Sequence, residues 1–317
     1  MMIKPVKIGN LQTENNLFLA PLAGFTDFAF RGICGEFGAG LTVTEMVSAK
    51  GLIYGNKGNA GLIQIHESEK LSAVQLFGED PTVIRRACES EELSAFKIVD
   101  INMGCPVPKI FNNGEGSALI DNPKRAEQVV SEAVKSGKII TVKTRIGLTD
   151  DKIVVTDFAK RMEGAGASLI CIHGRTRKAV YSGEVNFKEI ASAKNAVNIP
   201  VIANGGVFCE QDAFTLLEKT GADGIALGRG ALSKPWLFST IAGKKVKIDL
   251  YEIVSKHLDG LCTYYPDTYV ATIFRKIMPY YLKNLTCSKE LKHRFCFTKT
   301  VEEVKTLLKQ AILEQKN

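Results

Sequence analysis

A (β/α)₈ TIM barrel followed by a small all-helical C-terminal unit is the fold class this sequence predicts, on three observations. Eight short apolar runs alternate with helical patterns between residues 17 and 242. The runs are apolar throughout instead of alternating with polar residues, as expected for parallel strands covered on both faces. Past residue 242 the strand pattern stops and only helical periodicity continues. An open doubly wound sheet is the rival arrangement. The count of eight and the glycine-rich ends of the seventh and eighth runs favour the barrel, whereas right-handed crossovers suit either.

The expected strands are 17–21 (LFLAP), 41–46 (LTVTEM), 72–77 (SAVQLF), 97–102 (KIVDIN), 139–145 (IITVKTR), 169–173 (LICIH), 200–204 (PVIAN) and 224–228 (GIALG). Helical patterns lie between most of them. The first covers 26–37, and the next, 80–93, has Asp80 as N-cap before Pro81. A third, 122–137, ends at a glycine, and 150–166 and 210–224 behave alike. Four further helices are expected at 249–265, 268–285, 289–297 and 301–315. The chain thus divides into a barrel over 1–242 and a helical domain over 243–317.

Composition sets bounds on function. Of 317 residues, 45% are hydrophobic and 24% charged, values ordinary for a globular enzyme. The start, MMIKPVKIGN, has no apolar run behind it, and no 18-residue apolar segment follows, so a cytoplasmic protein that avoids membranes is expected. The eight cysteines form no CxxC and no Cys/His cluster at zinc spacing. Free thiols and no metal are expected. Oligomeric state is open, with a monomer as the default. The net charge of +7 is uneven: residues 1–242 hold 27 Lys+Arg against 26 Asp+Glu, and residues 243–317 hold 14 against 8. A basic appendage on a neutral body suggests a polyanionic partner, although a solvated lysine-rich helix surface reads the same way.

Chemistry in such barrels sits at the C-terminal ends of the strands. There the sequence places APLAGFTD, Gln75, Asn102 with Cys105, Lys143 with Arg145, His173-Gly174-Arg175-Thr176, Asn204-Gly205-Gly206 and Gly228-Arg229-Gly230. Gln75 or Asn102 alone could cap a loop, and His173 could be a satisfied buried histidine. Lys143 in IITVKTRIG is harder to explain structurally, because burying an unpaired ammonium is costly. It calls for an anionic or electron-rich partner. Glycines after strands seven and eight let backbone N–H groups approach a phosphate, and Arg229 adds a charge-assisted bond. GRGAL does not match a dinucleotide GxGxxG fingerprint. A mononucleotide-like phosphate follows. Flavin mononucleotide (FMN) would use the phosphate glycines together with Lys143, Gln75 and the APLAG backbone, while a sugar phosphate would use only the former.

The segments APLAGFTD, QLFGED, DINMGCPVPKIFNNGEGSAL, VKTRIG, IHGRT, IANGGV and GRGAL occur in this order. Together they resemble the bacterial tRNA-dihydrouridine synthases over residues 17 to about 240, and NMGCPVPK is the most specific piece. The resemblance implies that Pro21, Leu22 and Ala23 lie along the flavin ring through their backbone. Gln75 and Lys143 would bond its polar edge, with His173 beside it. Asn204, Gly205, Gly206, Gly228 and Arg229 would hold the phosphate, and Asn102 and Arg175 would face the target base. Cys105 would be the catalytic acid. Leu22 stands where many relatives carry methionine, a main-chain contact.

The implied reaction reduces the C5=C6 bond of a uridine in tRNA, with hydride passing from FMN N5 to C6 and a proton from Cys105 to C5. A thiol of ordinary pKa, about 8.5, keeps its proton at neutral pH, as a donor requires. Gly104 allows a sharp turn at the strand end and Pro106 and Pro108 stiffen the exit. The following FNNGEGS reads as a mobile loop able to close over the base. Lys143 would stabilise the anionic reduced flavin. With no second nucleotide domain, NADPH (or NADH) would use the same pocket and leave before RNA enters. Splaying a uridine out of tRNA costs a few kcal/mol, which phosphate contacts can supply. Arg275, Lys276, Lys283, Lys292, Arg294 and Lys299 are candidates for those contacts, and Tyr264, Tyr265, Tyr280 and Tyr281 for stacking. The alternatives are a flavin barrel acting on a free pyrimidine such as dihydroorotate, and a non-catalytic RNA-binding barrel.

Overall fold

The computed structural model describes residues 3–55 and 61–315. Eight parallel strands close into a barrel: β1 Leu17–Leu19, β2 Leu41–Ser48, β3 Ser72–Phe77, β4 Ile98–Met103, β5 Ile139–Arg145, β6 Leu169–His173, β7 Val201–Asn204 and β8 Gly224–Leu227. Neighbours pair in chain order, and β8 closes on β1 through Ile225 opposite Leu17. Every expected strand is present within two residues of its expected ends. The open-sheet rival is therefore excluded.

Alternation within each strand, hidden in the sequence because both faces are apolar, organises the interior. Leu17 and Leu19 point out toward the helices, whereas Phe18 and Ala20 point in. The inward layer near the strand starts is apolar: Phe18, Leu41, Ala73, Ile98, Leu169 and Ile202. An N-terminal hairpin, Lys7–Ile8 with Leu11–Gln12, places Ile8 in that same cluster and plugs the lower end. Toward the strand ends the inward positions turn polar. Gln75 pairs with Asp100 and Asp100 with Thr141 in the strand register, while Asn102 and Cys171 both lie beside Lys143.

The helices that cover the barrel are α1 Phe28–Glu36, α2 Ala49–Ile53, α3 Pro81–Cys88, α4 Pro123–Val134, α5 Val155–Gly164, α6 Phe187–Ala196, α7 Glu210–Thr220 and α8 Arg229–Ser233. Asp80 caps α3, accepting from the Val83 N–H at 3.0 Å, and Asn122 caps α4 in the same way. Gly221 ends α7 in the left-handed region at φ 62°, where its N–H reaches Leu217 O at 2.9 Å. One expectation is corrected: residues 150–154 are not the first turn of α5. Gly147–Thr149 and Lys152–Ile153 form a hairpin turned at Asp150-Asp151, in keeping with the β preference of the IVV run.

Beyond a short turn at Leu237–Ile241 come α9 Leu250–Cys262, α10 Asp267–Tyr281, α11 Lys289–Arg294 and α12 Val301–Glu314. The bundle does not stand apart. Its buried residues join the barrel's outer layer in one apolar core. Helix α9 lies so close to α1 that a Cβ on Gly260 would come within 2.8 Å of Ala29 Cβ. The fully buried His257 spans the same junction, with Nε2 3.0 Å from Asp27 Oδ2 and Nδ1 3.0 Å from the Tyr281 hydroxyl.

Candidate active site

A cavity of about 350 Å³ opens at the C-terminal mouth of the barrel, and all fourteen site residues expected from sequence line it. Its volume lies within the range of small-molecule sites, roughly 300–1,000 Å³. Gln75 does not end its strand as expected. It sits two residues before the end of β3, pointing in.

Strand β4 breaks after Met103, and the Asn102 side chain folds back over the break. Its Oδ1 accepts from the Gly104 N–H at 3.1 Å and the Cys105 N–H at 2.9 Å. Its Nδ2 donates to Gln75 Oε1 at 2.8 Å. Asn102 therefore seats the cysteine turn as well as facing the cavity. Burial pushes the Cys105 thiol above its usual value, against the smaller opposing pull of the Val107 N–H, Arg145 and Lys143. The thiol therefore keeps its proton at neutral pH, in contrast to an activated nucleophile, whose pKa is depressed. The segment after it is folded: Pro108–Asn112 is a short helix. Ser117 Oγ donates to Cys105 O at 2.7 Å, and a Cβ on Gly116, which has φ 60°, would come within 3.0 Å of Cys105 Cβ. Gly114 and Gly116 of the expected loop both take positive φ on the way back to the cysteine.

Cations dominate the wall. Lys143 Nζ donates to Asn204 Oδ1 at 3.1 Å, and among the described residues it has no ion pair. Burial lowers its pKa. Asn204 in turn donates to Ala226 O at 2.7 Å, so its side chain links Lys143 to β8. Burial and the surrounding Arg145, Lys143, Arg175 and Arg229 keep His173 well below its usual pKa and neutral. Arg175 Nη1 lies 3.4 Å from His173 Nε2. A guanidinium cannot accept, so Nε2 is the bare nitrogen and the ring proton is on Nδ1.

Arg145, noted in the sequence without a role, is a clamp. Its Nε donates to Gly104 O at 2.8 Å, and Nη1 to Thr176 O at 3.0 Å and Val180 O at 2.8 Å. Burial brings its pKa down to about 10. Arg175 holds the same loop through Gly183 O at 2.9 and 3.0 Å. Val180 sits between these anchors at φ 50°, the one positive-φ residue other than glycine among the described residues. Such strain in a β-branched residue persists only where surrounding bonds over-determine it. The loop presents Tyr181 to the cavity, where the Arg229 guanidinium stacks 4.3 Å from the ring centroid.

The glycines after β7 and β8 make a cradle that side chains would fill. At Gly205, φ is 121° and a Cβ would meet His173 Cδ2 at 2.9 Å; at Gly230 it would meet Val207 O at 2.1 Å. Backbone donors, Arg229 and an unpaired ammonium deeper in the cavity fit a ligand with a phosphate at one end and an electron-rich ring at the other. FMN has both. Among the described residues, no helix is long and apolar enough to cross a membrane.

The outer rim is shared with the helical bundle. Phe25, from the loop after β1, meets Tyr280 edge-on with ring centroids 5.3 Å apart. Lys276 and Lys283 lie 5.5 and 5.0 Å from those two rings. Lys276, Lys283, Lys292, Arg294 and Lys299 are exposed, as is Tyr264, and Tyr265 is half-buried. Two candidates fall away. Tyr281 is fully buried against His257 and cannot stack on a base. Arg275 spends Nε and Nη2 on Thr298 O at 3.0 and 2.7 Å, tying α10 to the turn before α12. Sequence reasoning missed Tyr181, Met46, Phe25 and Phe208 as lining residues. The only available signal was their closeness to the strand-end motifs.

A family model described as dihydrouridine synthase (Dus) matches residues 18–317. A probable tRNA-dihydrouridine synthase of Rickettsia bellii is 38% identical over 298 residues, covering 90% of this chain and 91% of its own. The tRNA-dihydrouridine synthase B of Vibrio parahaemolyticus is 34% identical, covering 92% and 93%. Among solved structures, a complex of 2-naphthoyl-CoA reductase superposes with a TM-score of 0.61 at 11% identity, over 76% of this chain and 52% of that one. A variant of NCR from Zymomonas mobilis gives 0.55 at 15%, over 79% and 94%. At such identities the structural likeness speaks for the barrel alone.

Proposed function

Because this chain belongs to the dihydrouridine synthase family, we propose that it reduces the C5=C6 bond of uridines in tRNA, with FMN in the barrel mouth and NADPH as electron donor. The balance is uridine plus NADPH plus a proton, giving 5,6-dihydrouridine and NADP⁺. The observation that carries the reading is a protonated thiol, Cys105, on the same cavity as an unpaired ammonium, Lys143, and a glycine phosphate cradle.

Asn204, Gly205, Gly206, Gly228 and Arg229 would hold the phosphate of FMN, with Pro21, Leu22, Ala23, Gln75, Lys143 and His173 along its ring, and the bound flavin would supply the hydride for C6 of the base. The protein's own residues do the rest. Cys105 carries the proton for C5, and its buried surroundings keep it loaded. Lys143 and Arg145 place positive charge where negative charge grows on the ring oxygens, the largest kind of catalytic term in such sites. Asn102 and Arg175 line the space left for the base. The neutral His173 offers a hydrogen bond without a charge. Phosphates of the RNA meet the exposed lysines of α10 and beyond, with Tyr264 and Tyr280 as stacking surfaces. The enzyme acts in the cytoplasm as a monomer.

The test is direct. Purified protein with FMN and NADPH is incubated with an unmodified tRNA transcript, and nucleosides are quantified and mapped by position. Dihydrouridine at defined sites, with free uridine untouched, is the expected result. Equal reduction of free uridine would favour a small-molecule dehydrogenase. Binding of tRNA with no dihydrouridine under any donor would favour a non-catalytic barrel.

A further inference from the structure

A hydrogen-bond chain that converges on Asp100 crosses the inner wall of the barrel directly beneath the cavity. Thr141 Oγ1 donates to Asp100 Oδ1 at 2.7 Å, and Gln75 Nε2 donates to Asp100 Oδ2 at 2.7 Å. Asn102 Nδ2 donates to Gln75 Oε1 at 2.8 Å. Asn102 Oδ1 then accepts the N–H groups of Gly104 and Cys105. The Thr141, Asp100, Gln75 and Asn102 side chains are all more than nine-tenths buried, so each bond between them carries the full penalty of being left unmade.

The direction of the chain is dictated from one end. A carboxylate can only accept. It therefore forces the Gln75 NH₂ toward itself, which turns Gln75 Oε1 toward Asn102. That in turn orients the Asn102 NH₂ inward and its oxygen toward the cysteine turn. Each amide nitrogen keeps one hydrogen outside the chain. The spare Asn102 hydrogen has Met46 Sδ at 3.7 Å, a weak acceptor that a ring carbonyl can displace. Gln75 and Asn102 both line the cavity, so the chain presents donors to it, matched to carbonyl oxygens on flavin and uracil.

We infer that Asp100 is a positioning residue: it sets the amide orientation of Gln75 and Asn102, and so the donor face of the cavity, while seating Cys105 through Asn102. This rests on the flavin reading for its ligand but not for the chain itself.

The experiment uses three variants of the full chain, with two readouts on the apoprotein: the melting temperature and the Kd for FMN. Asp100→Asn keeps the chain, because its oxygen still accepts from Gln75 while its NH₂ donates to the Thr141 hydroxyl. Both readouts should stay near wild type, with Tm within about 2 °C. Asn102→Asp puts an acceptor at each end of Gln75, so one acceptor–acceptor contact remains in either flip, and Tm should fall by about 5 °C or more. The double variant Asp100→Asn/Asn102→Asp can rebuild the chain with Gln75 reversed. It should recover most of the lost Tm yet bind FMN about tenfold more weakly than wild type, the loss expected for one mismatched hydrogen bond. No Tm recovery in the double variant overturns the inference. So does recovery of both readouts, since the flip of Gln75 would then be irrelevant to the ligand. A wild-type apoprotein that binds no FMN refutes the flavin reading separately, and the Tm comparison still judges the chain.

Discussion

Replacing Cys105 with alanine separates the acid from everything else the site does. The bonds that seat the turn run through the backbone of residue 105: its N–H to Asn102 and its carbonyl to Ser117. Alanine keeps both. Only the sulfur is lost, at a position 9% exposed, which should cost about 1 kcal/mol of stability or less and leave FMN bound. The kinetic effect is large and confined to one half of the cycle. A well-placed general acid contributes roughly 10²–10⁴-fold, so single-turnover reduction of tRNA should slow by about that factor while NADPH oxidation is unchanged. The pH profile provides a second check. Burial holds the thiol above its ordinary value, so it keeps its proton at neutral pH. The protonated form is the active one, and activity is lost as pH rises through the folded-state value. In the wild type, tRNA reduction should be level through neutral pH and fall on the alkaline side as the thiol ionises; this limb should vanish in the alanine variant. Rapid-quench assays with nucleoside analysis measure both. A variant that reduces tRNA within about threefold of wild type, with the alkaline limb intact, would refute the assignment of the acid.

Three other outcomes follow from the same geometry. Lys143→Met removes a buried ammonium whose pKa burial has already lowered; apoprotein Tm should hold or rise, while FMN affinity falls about tenfold or more in a fluorescence titration. Gly205→Ala places a Cβ at φ 121° within 2.9 Å of the His173 ring, which should cost about 1–3 kcal/mol and yield protein with little bound flavin by its visible spectrum. Asp27 is buried, which alone would raise its pKa, yet His257 beside it holds it below 3.8. Its contribution to stability is therefore present above that value and lost as pH falls through the folded-state pKa. Asp27→Asn should lower Tm at neutral pH, and the gap should persist to about pH 4 and close below it in a melting series; a gap independent of pH down to about 2.5 would contradict the lowered carboxyl pKa of Asp27.

The barrel was legible because parallel strands buried on both faces announce themselves as unbroken apolar runs. LICIH and SAVQLF could hardly be anything else. The strand-end rule then brought fourteen residues to one cavity. What stayed hidden depends on direction, not identity. The sequence shows that Asp100 precedes Asn102 by two, but not that strand alternation points both inward to meet Gln75 from the neighbouring strand. Arg145 reads as a free cation until three carbonyls are found around it. Tyr281 and Arg275 look like their neighbours Tyr280 and Lys276 because helical rotation, not composition, decides which of them faces water. The hairpin at residues 147–153 was misread because an Asp-Asp turn resembles a helix start, when the β-branched run behind it favours a strand.

The rim of the cavity draws on both ends of the polypeptide: Phe25 from near the start, and Tyr280 on a helix emerging some 250 residues later, fastened by the contact of His257 with Asp27. During synthesis, all eight strands have left the ribosome while this wall is still unmade. A truncated product ending after the last strand would thus possess the cradle for a nucleotide phosphate but a gaping entrance. The mouth of the barrel is complete only once the helix that carries Tyr280 has been made and docked.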